Sequence, residues 1–160
     1  MRSREVRLIV PSRLEAVREV GEAVRALWAD LRLDEVVAYQ MELAVVEAVT
    51  NAIQHAYGGA SGHEVKICAA LRGDCLAVEI SDTGIAMDPR RLEQPPAVLD
   101  FDPQRRDRLP ERGFGLTIIR EVMDGVEYLS AGGRNTLRLY KRLPVESEAH
   151  GGGRPAPEVP

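Results

Sequence analysis

The chain has 160 residues, 44% of them hydrophobic and 29% charged, with a net charge of −4. That length and composition suit one domain with a real core, and the acidic balance, pI about 5.5, argues against a protein that binds nucleic acid by neutralising phosphates. No apolar run approaches the roughly 18 residues that span a bilayer, and Met1-Arg2-Ser3-Arg4-Glu5 leads into a strand, not a signal peptide. A cytoplasmic protein with no membrane contact is expected.

In chain order, Val6–Val10 reads as a short strand closed by Pro11, an edge strand that could serve a dimer contact. Ser12, with Glu15 three residues on, has the pattern of a capping box. Leu14, Val17, Val20, Val24, Leu27, Trp28 and Leu31 then form a helical stripe reaching about Asp30, in which Trp28 is packing. Asp34 caps a second helix that runs to Tyr57, where Gly58-Gly59 stops it. Its apolar positions Leu43, Val46, Val49 (or Thr50) and Ile53 repeat at helical spacing, while Glu47, Asn51 and His55 lie four apart on a second face. Alone, that second face also reads as an ordinary solvated one.

Val65–Arg72 and Cys75–Ser81 are two strands joined by the hairpin turn Gly73-Asp74. This register places Cys75 opposite Arg72 and leaves Cys68 roughly 13 Å away at about 3.4 Å per residue, beyond the ~7 Å reach of a disulfide. A glycine-bearing turn follows, Ser81-Asp82-Thr83-Gly84-Ile85-Ala86-Met87-Asp88-Pro89. From about Arg90 to Arg112 periodicity is lost among prolines and alternating charges, the composition of a lid or a disordered loop. Gly113-Phe114-Gly115 opens a third helix, and Val126–Ser130 and Thr136–Lys141 form a closing hairpin around Gly132-Gly133-Arg134-Asn135. The domain is expected over residues 1–142 with a lid at about 86–112, and the Pro, Gly and acid-rich residues 143–160 are expected to be disordered. Strand, two helices, two strands, helix and two strands make an α+β sandwich: a mixed or antiparallel sheet with helices on one face.

Three pieces carry chemistry. A glycine pair at a helix start bares N–H groups and the positive helix dipole to an anion, although the six-residue dinucleotide fingerprint and the P-loop lysine motif are both missing. Asp82 ends an apolar strand, where a carboxylate needs hydrogen bonds; an adenine amino group could supply one, with Gly84 letting the ring lie against the backbone. Asn51 offers a neutral oxygen suited to Mg²⁺, which otherwise leans on waters and phosphate oxygens. Glu47, one turn away, could take a proton from a group attacking a γ-phosphate.

Together, Glu47-x-x-x-Asn51 with His55-Ala56-Tyr57, Asp82-x-Gly84 and Gly113-x-Gly115-Leu116 resemble the N, G1 and G2 boxes of the GHKL ATPase superfamily, over roughly residues 5 to 142. The short chain and the run Glu47-Ala48-Val49-Thr50-Asn51-Ala52-Ile53-x-His55-Ala56-Tyr57 are similar to the anti-sigma factor serine kinases. The resemblance implies a Bergerat-type fold with ATP held beneath a mobile lid. It implies Glu47 as catalytic base, Asn51 as Mg²⁺ ligand, and His55 closing the helix near the phosphates. It further implies Asp82, Gly84 and Met87 around the adenine, Gly113, Phe114, Gly115 and Leu116 as the phosphate turn, Arg112 as a lid arginine, and Thr136 as a pocket threonine. Ala86 stands where the G1 box usually has a second glycine, and the lid has its own proline-rich sequence.

Chain length sorts the branches of that superfamily. Gyrase-like members carry a transducer domain after this one, and sensor histidine kinases carry a phosphoacceptor hairpin before it. A lone domain is expected to phosphorylate another protein. The resemblance implies an anti-sigma factor that is also a serine/threonine kinase, binding a sigma factor or comparable regulator and phosphorylating a STAS-type anti-anti-sigma antagonist, with a homodimer resting on family analogy alone. The alternatives are a non-catalytic nucleotide-sensing adaptor and a histidine-kinase-like module, with His63 as a remote phosphoacceptor.

Overall fold

The computed structural model describes residues 4–94 and 115–144. Its elements are β1 (Arg4–Pro11), α1 (Glu15–Asp30), α2 (Glu35–Asn51) continued by one wide π turn (Ala52–Ala56), β2 (Glu64–Arg72), β3 (Cys75–Asp82), a short 3-10 turn (Pro89–Leu92), α3 (Gly115–Val122), β4 (Gly125–Ala131) and β5 (Arg134–Arg142). The five strands pair in the order β1-β2-β3-β5-β4, every pair antiparallel. Alternation decides the layers. Val78, Ile80, Leu137 and Leu139 point to one face and are buried there with Ile67 and Ala69, while Glu79, Ser81, Arg138 and Tyr140 take the other. The helices cover the first face, which gives the expected two-layer α+β sandwich.

Helix α2 is the middle of that layer, and α1 and α3 pack along it. Its start is fixed by Asp34, whose carboxylate accepts the N–H groups of Val36 at 2.9 Å and Val37 at 3.4 Å. The buried stripe is Met41, Ala44, Val45, Ala48, Val49, Ala52, Ile53 and Ala56. The helical period was legible, but Leu43 and Val46 are only half buried, because the repeat of alanines carries the closest approach and lies to one side of the larger residues. From Glu35 to Ala56 this helix has 22 residues and reaches a mean hydropathy of 1.2, long and apolar enough on those two counts to cross a bilayer, although Glu42 and Glu47 interrupt its apolar residues. Its packing against α1, α3 and β3 is that of a core helix.

In α1 the stripe is borne out by buried Val20, Val24 and Trp28 but not at Leu14, which precedes the helix and is exposed, and the pair Arg25–Glu42 ties α1 to α2 with Nε 3.0 Å from Oε2. The capping box is not formed. The chain turns tightly after Pro11, with Arg13 N–H donating to Pro11 O at 2.8 Å, so that helix α1 is preceded by Leu14 and not by Ser12. Ser12 is instead fully buried, where its Oγ donates to Ala60 O at 2.8 Å and accepts from His63 N–H at 3.1 Å. It stitches the end of β1 to the loop that enters β2. Ser12→Ala would remove both of these bonds, whose other partners lie on exposed residues, and should cost about 1–2 kcal/mol of folding stability at about 0.5–1.5 kcal/mol per bond, read as a shift of the denaturant midpoint at constant m-value.

The Gly73-Asp74 turn and its register are as expected: Cys75 faces Arg72, Cys68 pairs with Glu79, and both cysteines are free thiols. The last hairpin turns on Gly132 and Gly133 alone, at φ 61° and 75°, since two successive left-handed residues suffice for a two-residue loop. Arg134 and Asn135, expected in that turn, belong to β5. Lys141 Nζ donates to Val122 O at 2.6 Å and closes the carbonyl end of α3.

Candidate nucleotide site

A cleft of about 290 Å³ opens between the end of α2 and the turn after β3, near the lower end of small-molecule sites at roughly 300–1,000 Å³. Ile80 and Leu137 of the sheet line it, as do Ala48, Asn51, Ala52, His55 and Ala56 of α2 and its π turn. Asp82, Ile85, Ala86 and Met87 follow from the turn, Leu116 comes from α3, and Tyr128 from β4. The cleft therefore gathers Asn51, His55, Asp82, Met87 and Leu116, which lie far apart in the chain.

The turn is held to the helix by backbone geometry. The wide turn at the end of α2, with Tyr57 N–H donating to Ala52 O at 3.2 Å, leaves Ala56 O free to accept Ile85 N–H at 2.8 Å. Gly84 lies so close to that carbonyl that a Cβ on it would sit 2.3 Å from Ala56 O. Tyr57 adds a second stitch: its hydroxyl accepts Thr83 N–H at 2.9 Å and donates to Glu64 O at 2.7 Å.

Asp82 stands at the end of β3 with one oxygen fully engaged. Its Oδ1 accepts Gly84 N–H at 3.0 Å and Asn135 Nδ2 at 2.7 Å. Asn135 is buried, also donates to Gly84 O at 3.0 Å, and has its own oxygen held by Ser130 Oγ at 2.8 Å. The sequence reading missed Asn135, having placed it in a turn. The alternation Asn135-Leu137-Leu139 was the signal available, because it puts the amide on the core face of β5. Thr136 was expected in the pocket and is not there. One residue along the strand, it faces the opposite side of the sheet, where its hydroxyl lies 3.0 Å from Ser81 Oγ.

On α2, Glu47 and Asn51 share a face as expected, and the start of α3 closes on both. A Cβ at Gly115 would come within 2.9 Å of Glu47 Oε2 and 3.2 Å of Asn51 Nδ2, so any larger residue there would push these two side-chain ends from their places. Asn51 Nδ2 is buried with no hydrogen-bond partner among the described residues; as a donor it complements an acceptor such as a phosphate oxygen, while a cation would be met by the amide oxygen. Burial also pushes the Glu47 carboxyl above its ordinary pKa, toward the range of a usable base. His55 is exposed at the rim of the cleft. His63 lies outside it, its ring stacked on Tyr57 with centroids 4.6 Å apart. Arg112, Gly113 and Phe114, most of the lid and nearly all of the tail lie outside the described residues.

A carboxylate at a strand end, a carboxamide and a carboxylate one helical turn apart, and a glycine-started helix closing on them have the arrangement of a GHKL-type ATPase domain. Residues 10–141 match the family of histidine kinase-like ATPase domains, and the chain belongs to that family. Within it, the chain is 31% identical over 112 residues to serine-protein kinase RsbW of Bacillus cereus, covering 69% of each protein. It is 30% identical over 138 residues to anti-sigma F factor of Clostridium acetobutylicum, covering 86% of this chain and 91% of that one. Among solved structures it resembles the RsbU and RsbW domains of Rv1364c from Mycobacterium tuberculosis, with a TM-score of 0.61 and 20% identity, covering 88% of this chain and about a third (32%) of that longer one. The SiaB-SiaC complex of Pseudomonas aeruginosa matches with a TM-score of 0.56 and 16% identity over 84% of this chain and 88% of the other. At these identities the structures speak for the fold, and the sequence relatives place the chain in the serine-protein kinase and anti-sigma factor branch.

Proposed function

We propose that this protein is an anti-sigma factor that transfers the γ-phosphoryl group of ATP to a serine or threonine of a STAS-type antagonist, and that it binds a sigma factor or comparable regulator as the competing partner. The observation that carries the reading is Glu47, a partly buried carboxylate of raised pKa, set one helical turn from the unpartnered amide of Asn51 and against the start of α3. An adaptor that only senses nucleotide has no use for a base at that place.

The residues divide the work. Asp82 receives the adenine amino group on the oxygen that Gly84 and Asn135 leave open, and the tight turn at Gly84 keeps the base against the backbone. The helix start at Gly115 and Leu116 faces the phosphates with its N–H groups and positive dipole; Gly113, Phe114 and Arg112 extend that cradle by family resemblance. Glu47 accepts the proton of the attacking hydroxyl, and the rest is positioning and charge neutralisation. The donor set suits Mg²⁺ held through the neutral amide oxygen of Asn51, which lines the cleft and would leave the other positions on the ion to phosphate oxygens and water. When bound, Mg²⁺ neutralises charge on those oxygens. Asn51→Ala should weaken ATP binding about tenfold or more with Mg²⁺ and change it little when the ion is chelated; an equal loss in both conditions would reject Asn51 as its ligand.

The deciding experiment is a pull-down from native lysate with Mg-ATP and with Mg-ADP, mapping phosphosites on the retained proteins. A sigma-like regulator together with a small protein newly phosphorylated on Ser or Thr is the expected result. Nucleotide-dependent partners without phosphorylation would make the protein an adaptor. Acid-labile phosphate on a histidine would assign it to the other kinase branch.

A further inference from the structure

Tyr128 lines the cleft and has no part in the roles assigned above. It stands on β4 opposite Leu137, which pairs in turn with Ile80 of β3, so its ring rises from the helix-covered face of the sheet beside two residues that line the cleft. Its hydroxyl oxygen accepts the N–H of Met87 at 2.8 Å. A phenol accepting from an amide still carries its own proton, which needs an acceptor in a half-buried place. Burial, with the charge of nearby Asp82 adding to it, raises its pKa, so the proton is retained at working pH. Asp82 lines the same cleft with Oδ1 already taken by Gly84 N–H and Asn135 Nδ2. One acceptor and one donor thus address a bound base together.

We propose that Tyr128 is a specificity-determining residue whose hydroxyl donates to the ring nitrogen N1 of adenine while Asp82 accepts the 6-amino group. The inference rests on the reading of the cleft as an ATP site. Adenine presents a donor on its exocyclic nitrogen and an acceptor at N1, the complement of Asp82 and Tyr128. Guanine presents the reverse, an acceptor at O6 and a donor at N1, so both protein groups would be mispaired. A site built to pair polar groups rejects the base that leaves them unpaired far more strongly than one that merely fits its shape. Because the same phenol oxygen holds Met87 N–H, the base would also be linked to the turn that follows β3.

The test is calorimetric titration of the full chain and of Tyr128→Phe with ATP, with 1-deaza-ATP, in which N1 is a C–H, and with purine riboside triphosphate, which lacks the 6-amino group. For the unaltered protein the change from ATP to 1-deaza-ATP should weaken binding about tenfold, the worth of one neutral hydrogen bond. Tyr128→Phe should bind these two alike and still discriminate against purine riboside triphosphate. Loss of the Met87 contact alone would weaken all three nucleotides by one factor, leave the tenfold gap between ATP and 1-deaza-ATP in the variant, and overturn the proposal. No gap in the unaltered protein would overturn it too. If purine riboside triphosphate binds the unaltered protein as well as ATP does, the base is not seated on Asp82 and the proposal falls with that seating. If ATP itself fails to bind, the cleft is not a nucleotide site.

Discussion

Glu47→Gln should cut phosphoryl transfer to the antagonist by about 10²–10⁴-fold, the usual worth of a positioned general base, while ATP affinity stays within a few-fold. The amide keeps the size of the carboxylate and its place beside Gly115 and Asn51, so binding and folding are spared and only the proton acceptor is lost. Single-turnover transfer from labelled ATP, measured beside a binding titration, separates the two. Undiminished transfer by the variant would remove Glu47 from the mechanism. The pH dependence makes the same point independently. Glu47 must be ionised to act, and burial raises its pKa, so transfer should fall on the acid side at a pH above that of an ordinary carboxylate. The limb should vanish in Glu47→Gln. Stability runs the other way: a carboxyl with a raised folded-state pKa favours folding below its unfolded pKa, and that contribution is lost as the pH rises through the folded value. The variant should therefore gain stability relative to the unaltered protein above that pH and not below it.

Gly84→Ala should abolish ATP binding or destabilise the domain by about 1–3 kcal/mol or more, the range for forcing atoms into a packed site. Its Cβ would meet Ala56 O at 2.3 Å, Ala56 C at 2.5 Å and Ala56 Cβ at 2.9 Å. The first two are backbone atoms of the π turn and cannot swing aside as a side chain would. Any relief must separate the turn from α2, which breaks the bond from Ile85 N–H to Ala56 O and moves the base-reading side of the cleft. Circular-dichroism melts with and without ATP distinguish the outcomes: a lowered midpoint with ATP stabilisation retained means the cleft survives, and a lost ATP shift means it does not. A variant with both unchanged would contradict the packing at this position. Two residues on, Ala86 carries a methyl group natively where the G1 pattern has glycine, and it lines the open cleft. Tightness at the first position and room at the second explain how one departure from the pattern is accommodated where the other would not be.

Much of the site was readable because its residues are fixed by local rules. Glu47 and Asn51 share a helix face at a spacing of four; Asp34 caps α2; Gly73-Asp74 makes a two-residue turn whatever lies around it. Ser12 shows the opposite case. Its sequence spacing suits a helix cap, and a loop some fifty residues away competes for the same hydroxyl and wins. The pocket threonine was misplaced by one residue for a related reason: glycines at a hairpin mark a turn but do not say where it ends, and one step along a strand exchanges the two faces of the sheet. The alternation along β5 could place Asn135 on the core face, but what Asn135 and Tyr128 do there lies in what pairs with them across strands and turns, Asp82 in one case and Met87 in the other.

By itself, then, the sequence determined the order of elements, the helix that carries the Glu47 carboxylate and the Asn51 amide, and the superfamily, since each depends on periodicity or on short motifs with a local cause. Only the tertiary structure decided which face of each strand meets the nucleotide, how closely Gly84 and Gly115 approach α2, and what holds Asp82. Those are properties of register and of packing between distant segments, and a linear pattern does not carry them.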